Sequence, residues 1–157
     1  MSEAWIIDTV RTPRSIGKMG KGALSQMHPE HLSATVLAAL KERNGFDTAD
    51  VDDVIWGVSA AIGLQGGDIG RMAALDAGYD VKAGGVTLNR FCGSSITATN
   101  LAAAMIMSGM SDLMVAGGMD MLSYANAHGM KMREAGLGSA GMGAGNPRLQ
   151  ARRPQTN

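Results

Sequence analysis

Only one cysteine, Cys92, occurs in the chain, so no internal disulfide can staple the fold, and a small disulfide scaffold is excluded. Net charge is lacking too, because 14 basic side chains balance 14 acidic ones. Affinity for a phosphate backbone grows with the number of phosphates neutralised, so nucleic acid is not the expected partner. The opening Met1-Ser2-Glu3-Ala4-Trp5 has neither the basic end nor the apolar core of a secretory signal. With the lone thiol, this makes a reducing, cytoplasmic location the expectation. What remains, 157 residues at 45% hydrophobic, has the size and composition of one soluble globular domain rather than a disordered tail.

Two residue types are abundant. Glycine, at 22 residues, is at roughly double its ordinary usage. Of the 13 methionines, most fall between Met105 and Met142. Charge is also unevenly placed: Lys131, Arg133, Arg148, Arg152 and Arg153 face only Glu134 after Gly129.

Along the chain, Trp5 to Val10 is a short apolar run closed by Thr12-Pro13 and predicts a first strand. A glycine-bearing loop follows from Ser15 to Pro29. Leu32, Val36, Leu37 and Leu40 then recur at helical spacing, and Gly45 marks the stop. Val51 to Val58 predicts a second strand, Ile69 to Ala77 a short helix stopped by Gly78, and Gly85 to Phe91 a third strand. Such alternation argues for an α/β layered fold.

Residues 91–111 carry no charged side chain. Ser94, Ser95, Thr97, Thr99, Asn100 and Ser108 make the segment too polar for a simple lipid-facing span, so no membrane span is expected. Its apolar residues point in several directions, which predicts a buried helix needing cover on all sides. With aromatics at only 4%, the chain is poorly supplied to give that cover. Asp112 to Ala116 resumes strand character, Gly117-Gly118 turns it, and the glycines from Gly129 onward read as a flexible region. These signals place a boundary near Ser123, dividing residues 1–123 from 124–157.

Asn89-Arg90-Phe91-Cys92-Gly93-Ser94-Ser95 sets the only thiol where a strand passes into that helix. Unpaired N–H groups and a partial positive charge at a helix start favour a thiolate and an oxyanion beside it. The contribution is typically about 0.3–1 kcal/mol and at most about 2 kcal/mol, too little to ionise an ordinary thiol at neutral pH, so a base is required. Spacing alone leaves open whether Cys92 is a nucleophile or a small buried hydrophobe.

This stretch resembles the active-site region of the thiolases, acyl-CoA acyltransferases whose nucleophilic cysteine lies in an Asn-x-x-Cys-x-Ser context matched by Asn89, Cys92 and Ser94. Val10-Arg11-Thr12-Pro13, Gln65 to Arg71, and Val115-Ala116-Gly117-Gly118-Met119 agree in order and spacing. The resemblance implies an α/β thiolase-fold N-terminal half over residues 1–123, a βαβαβαββ layered sheet with a buried central helix. Residues 124–157 would begin an inserted loop domain.

It further implies that Cys92 attacks a 3-oxoacyl-CoA and carries the shortened acyl group as a thioester until free coenzyme A removes it, with the Cys92 N–H in the oxyanion hole. Acyl-CoA and CoA are then substrates, no separate cofactor or metal is implied, and homodimers or homotetramers are expected. Ser95, Thr99, Asp68 and Asp120 depart from the residues usual in the family. The family's activating histidine, second cysteine and water-orienting asparagine belong to its second half, which no stretch here matches. The chain is thus expected to be a truncated portion, inactive alone. The alternatives are a non-catalytic thiolase-like acyl-CoA or lipid binder and a ketosynthase-type condensing enzyme, against which the Val115–Met119 stretch speaks.

Weaker signals have plainer explanations. Gly136-Leu137-Gly138-Ser139-Ala140-Gly141 fits a dinucleotide fingerprint, without the preceding strand or the following acidic residue. Gly17 to Gly22 suggests a phosphate loop, but Ala23 and Leu24 replace its lysine and hydroxyl. His28 and His31 lack a third metal ligand, and His128 is a possible base for Cys92 only by folding. Met119, Met121, Met130 and Met132 are candidate acyl-pocket residues. The basic excess after Gly129 is a candidate attractor of coenzyme A phosphates.

Overall fold

A computed structural model of the chain describes residues 3–135 together with Arg148. Within them, α1 (Pro29–Asn44), β1 (Asp53–Gly57), α2 (Ile69–Asp76), β2 (Val86–Leu88), α3 (Ser94–Ser108), β3 (Met114–Gly118) and α4 (Leu122–Glu134) follow in order. The strands form one parallel sheet in the order β2-β1-β3, with Ile55 opposite Val86 and Ala116. Parallel neighbours require crossovers, and α2 and α3 supply them.

The helices are bounded by local chemistry. The Nδ1 of His28 accepts the Glu30 N–H at 3.3 Å at the start of α1, Pro29 stands in the first turn, and Gly45 closes the other end at φ 62°. Lys41 donates from Nζ to the carbonyls of Ala77 (2.9 Å) and Gly78 (3.2 Å), joining α1 to the C-terminus of α2. The Asp68 carboxylate caps α2 by accepting the Arg71 N–H, and it also accepts the Thr87 hydroxyl at 2.8 Å. The acidic residue at this family departure thus binds the helix start to β2.

Residue alternation splits the core between the two sheet faces. Val54, Trp56 and Val58 pack with Leu37, Ile69, Ala73 and Ala74 under α1 and α2, while Ile55 meets Ala98 and Ala102 of α3. The Trp56 Nε1–H donates to Ser33 at 3.1 Å, and buried Tyr79 donates to the Leu37 carbonyl. Burial pushes the Tyr79 hydroxyl up to about 12.

Four sequence expectations change. Trp5 to Val10 joins no strand; Trp5, Ile6 and Ile7 are all more than three-quarters exposed, and the segment is tied down through Asp8, to Arg43 and Asn44, and through the Thr9 carbonyl, to Arg43. A run of β-formers specifies extended backbone, not a pairing partner. Gly117 and Gly118 end β3 rather than turning after it, and Gly129 lies inside α4. Helix α3 packs on the sheet through Ser94, Ala98 and Ala102, while Ile96, Leu101 and Met107 face outward. Cover on all sides is therefore not provided by the described residues. No described helix is long and apolar enough to cross a membrane.

Exposed apolar area of this extent drives association. The purified chain is expected to self-associate as its concentration rises, and Leu101→Gln with Met107→Gln to reduce this, in sedimentation velocity. A wild-type chain that stays monomeric throughout contradicts the expectation.

Acid sensitivity has a defined source. The N–H groups of Asp112 (2.7 Å) and, second, Leu113 (3.1 Å) donate to Asp52 and hold its carboxyl below the ordinary range. A lowered folded value means stabilisation that is full above the ordinary carboxylate titration, near pH 4, and lost as pH falls through the folded value. In unfolding midpoints measured against pH, Asp52→Asn is expected to flatten this part of the acid limb.

Candidate active site

The three parallel strands end together, and the segments that follow them meet at their carboxyl edge, the usual site of chemistry in open α/β sheets. After β2 the chain turns through Asn89 to Gly93 and enters α3. The Asn89 Oδ1 accepts the Phe91 N–H at 2.8 Å. Phe91 then takes φ 50°, and it is the single non-glycine residue described at positive φ. For an L-residue this conformation costs about 1–2 kcal/mol, so other bonds must hold it.

Ser94, almost fully buried, supplies them: its hydroxyl accepts the Arg90 N–H at 2.9 Å and donates to the Phe91 carbonyl at 2.6 Å. Cys92 follows directly and is exposed. Among the described residues the turn holds the thiol outside the core. The Cys92 N–H donates to no described residue, whereas the N–H groups of Gly93 and Ser94 bond to the carbonyls of Arg90 and Phe91. An accessible thiol beside a free amide at the start of a 15-residue helix can add to a carbonyl and stabilise the resulting oxyanion.

Close packing fixes the position of this turn. A Cβ on Gly57, at the end of β1, would come within 2.5 Å of the Ser94 carbonyl carbon and the Ser95 nitrogen. One on Gly118 would strike the Gly57 carbonyl and the Ser95 hydroxyl. Glycine at both strand ends lets the start of α3 rest on backbone.

Neighbouring loops are cross-braced. Gln65 is fully buried; its Nε2 donates to the Ala60 carbonyl at 2.9 Å and its Oε1 accepts the Met121 N–H at 2.7 Å. Ser59 donates to Asp120 from both N–H and hydroxyl, at 3.1 and 2.7 Å. The Tyr124 hydroxyl accepts the Leu64 N–H. The segments after β1 and β3 thus form one frame around the turn. None of these braces is readable from residue spacing, although glycine at a strand end and an Asn two residues before an amide donor are local signals of the turn.

Other candidates disperse. His28 caps α1, His31 bonds to Asp76 at 3.1 Å, and His128 stacks on Tyr124. No described residue hydrogen-bonds the Cys92 sulfur. Met121 is buried and Met119 packs on the α1 side of the core, whereas Met130 is exposed. The glycine run at 136–141, Met142, Arg152 and Arg153 lie outside the described residues.

Comparison with known proteins bears on this arrangement. The family profile described as thiolase, N-terminal domain, matches residues 4–145. Steroid 3-ketoacyl-CoA thiolase FadA6 of Mycobacterium tuberculosis is 48% identical over 123 residues, 78% of this chain and 30% of that protein. Beta-ketoadipyl-CoA thiolase of Acinetobacter baylyi is 41% identical over 80% of this chain and 31% of its own length. The crystal structure of Bacillus anthracis acetyl-CoA acetyltransferase superposes with a TM-score of 0.59 at 36% identity, covering 65% of this chain and 25% of that one. The chain thus spans about 30% of the length of the curated relatives it matches.

Proposed function

Because the chain belongs to the thiolase family through its N-terminal domain, we propose that it supplies the nucleophile-bearing half of an acyl-CoA C-acyltransferase acting on 3-oxoacyl-CoA. One observation carries the reading: Cys92 is exposed at the carboxyl edge of a parallel sheet, beside its own N–H, which bonds to no described residue.

In this reaction the Cys92 thiolate adds to the 3-oxo carbon, and the Cys92 N–H donates to the oxygen that gains charge. The bond between C2 and C3 then breaks. Its electron pair leaves with the acetyl-CoA fragment, which takes up a proton, and the shortened acyl group remains on sulfur as a thioester. Coenzyme A, giving up its thiol proton, attacks that carbonyl and leaves as the shortened acyl-CoA, and Cys92 is restored as thiolate.

No base is bonded to Cys92 among the described residues, and we assign the proton transfers to a second thiolase half. By the same reading the 157-residue chain alone does not turn over, and residues 124–157 begin an inserted loop domain. The working assembly is a cytoplasmic homodimer or homotetramer.

The experiment joins this chain to a second thiolase half and follows coenzyme A-dependent loss of 3-oxoacyl-CoA. Turnover is expected in the joined protein only. Tight binding of acyl-CoA without turnover would instead favour a non-catalytic binding protein.

A further inference from the structure

The Asn-x-x-Cys-x-Ser pattern contains two residues that the reaction leaves without a role, Asn89 and Ser94. We propose that they are positioning residues, which hold Phe91 in the left-handed conformation and thereby present Cys92 and its N–H at the head of α3. The inference rests on the reading of Cys92 as the reacting thiol.

Each bond of the turn ends on the strained residue or its neighbour. Asn89 takes the Phe91 N–H, and the Ser94 hydroxyl takes the Arg90 N–H while donating to the Phe91 carbonyl. The Ser94 N–H reaches that same carbonyl at 3.1 Å. Both backbone polar groups of Phe91 are thus occupied from either side of Cys92, and the Cys92 N–H has no partner among the described residues.

The side chain of Phe91 is more than half exposed, so core packing does not hold its backbone. Ser94, by contrast, is buried against the end of β1, with the Val58 carbonyl 3.4 Å from its hydroxyl. The clamp is therefore anchored to the sheet and acts on an otherwise loosely held residue. If it were absent, Phe91 would relax to negative φ and carry Cys92 with it.

The test uses the 157-residue chain at low concentration and the rate of iodoacetamide alkylation at Cys92, a reaction independent of any thiolase activity. Asn89 is exposed, so Asn89→Ala should fold, and a thermal midpoint verifies this. Alkylation is expected to slow by roughly five- to thirtyfold in Asn89→Ala, the fold-change that corresponds to loss of the left-handed state. Asn89→Asp, which keeps the acceptor, is expected to restore the rate. In a Phe91→Gly background, where positive φ carries no steric cost, adding Asn89→Ala is expected to change the rate by less than about twofold. Ser94→Ala should behave as Asn89→Ala does.

Parental alkylation in Asn89→Ala overturns the proposal, and so does an undiminished effect in the Phe91→Gly background. A parallel arm treats the joined two-half protein with acetyl-CoA. Failure of acyl transfer there, with the alkylation coupling intact, removes the thiolase reading and leaves the positioning role standing.

Discussion

Gly57→Ala is expected to lower the stability of the chain by about 3 kcal/mol, the upper part of the range for overpacking a filled interior. The added methyl would sit 2.5 Å from two backbone atoms, the Ser94 carbonyl carbon and the Ser95 nitrogen, and backbone cannot swing aside as the tip of a side chain can. Relief requires the start of α3 to rise off the sheet. That motion would break the Ser94 bonds to Arg90 and Phe91 and displace Cys92, so loss of stability and loss of thiol reactivity should appear together. For a domain of this size the thermal midpoint should fall by about 6–12 °C.

Gly129→Ala is the control. A Cβ there meets nothing within 4 Å, and the residue lies in α4 without positive φ. Its substitution is expected to leave stability unchanged or raise it by about 0.5–1 kcal/mol. Circular dichroism melts of the two variants beside the parent check both expectations, and equal midpoints would remove the argument that α3 rests on a glycine.

Cys92→Ala is expected to abolish catalysis by the joined two-half protein while leaving the fold intact. The thiol is exposed and makes no side-chain hydrogen bond within the described residues, so its loss opens no cavity and orphans no partner. Its removal does eliminate the atom that would hold the acyl group between the two half-reactions. The rate should fall on the order of 10⁴-fold or more, because the remaining groups cannot substitute for a covalent nucleophile. KM for acyl-CoA should change little, since Cys92 acts on the reacting carbon and not on the coenzyme. Steady-state kinetics with a melting curve of the same preparation separates this outcome from simple misfolding.

How legible these features were depends on their range. Helix α1 was readable because Leu32, Leu37 and Leu40 repeat at helical spacing and Gly45 stops the run. Strands β1 and β3 were readable because short apolar segments alternate with helices. The location of Cys92 between a strand and a helix followed from the same alternation. The strand predicted at Trp5 to Val10 did not pair, because pairing is a long-range property that composition does not encode.

The outward half of α3 has a similar cause. Its lack of charge predicts a helix covered on all sides, but the sheet face of this chain covers Ser94, Ala98 and Ala102, with Met105 packed beside them. In the site itself, the thiol and the Asn89 and Ser94 positions were visible as a pattern, whereas the left-handed Phe91 was not. Phenylalanine is among the residues least expected there, and only the bonds around it reveal why it is tolerated. The brace of Gln65 between Ala60 and Met121 was hidden for a simpler reason, since its partners lie far apart in sequence and are backbone atoms.

The most direct test of the account is whether sulfur accepts an acyl group. Acetyl-CoA is added to the joined two-half protein, the reaction is quenched in acid, and intact mass and peptide mapping follow. The account predicts a gain of about 42 Da, the mass of an acetyl group held as a thioester, on the peptide containing Cys92. That gain should disappear on adding free coenzyme A, be absent from Cys92→Ala, and be small or missing in the 157-residue chain alone. Turnover of 3-oxoacyl-CoA with Cys92 unmodified, or undiminished in Cys92→Ala, would contradict it.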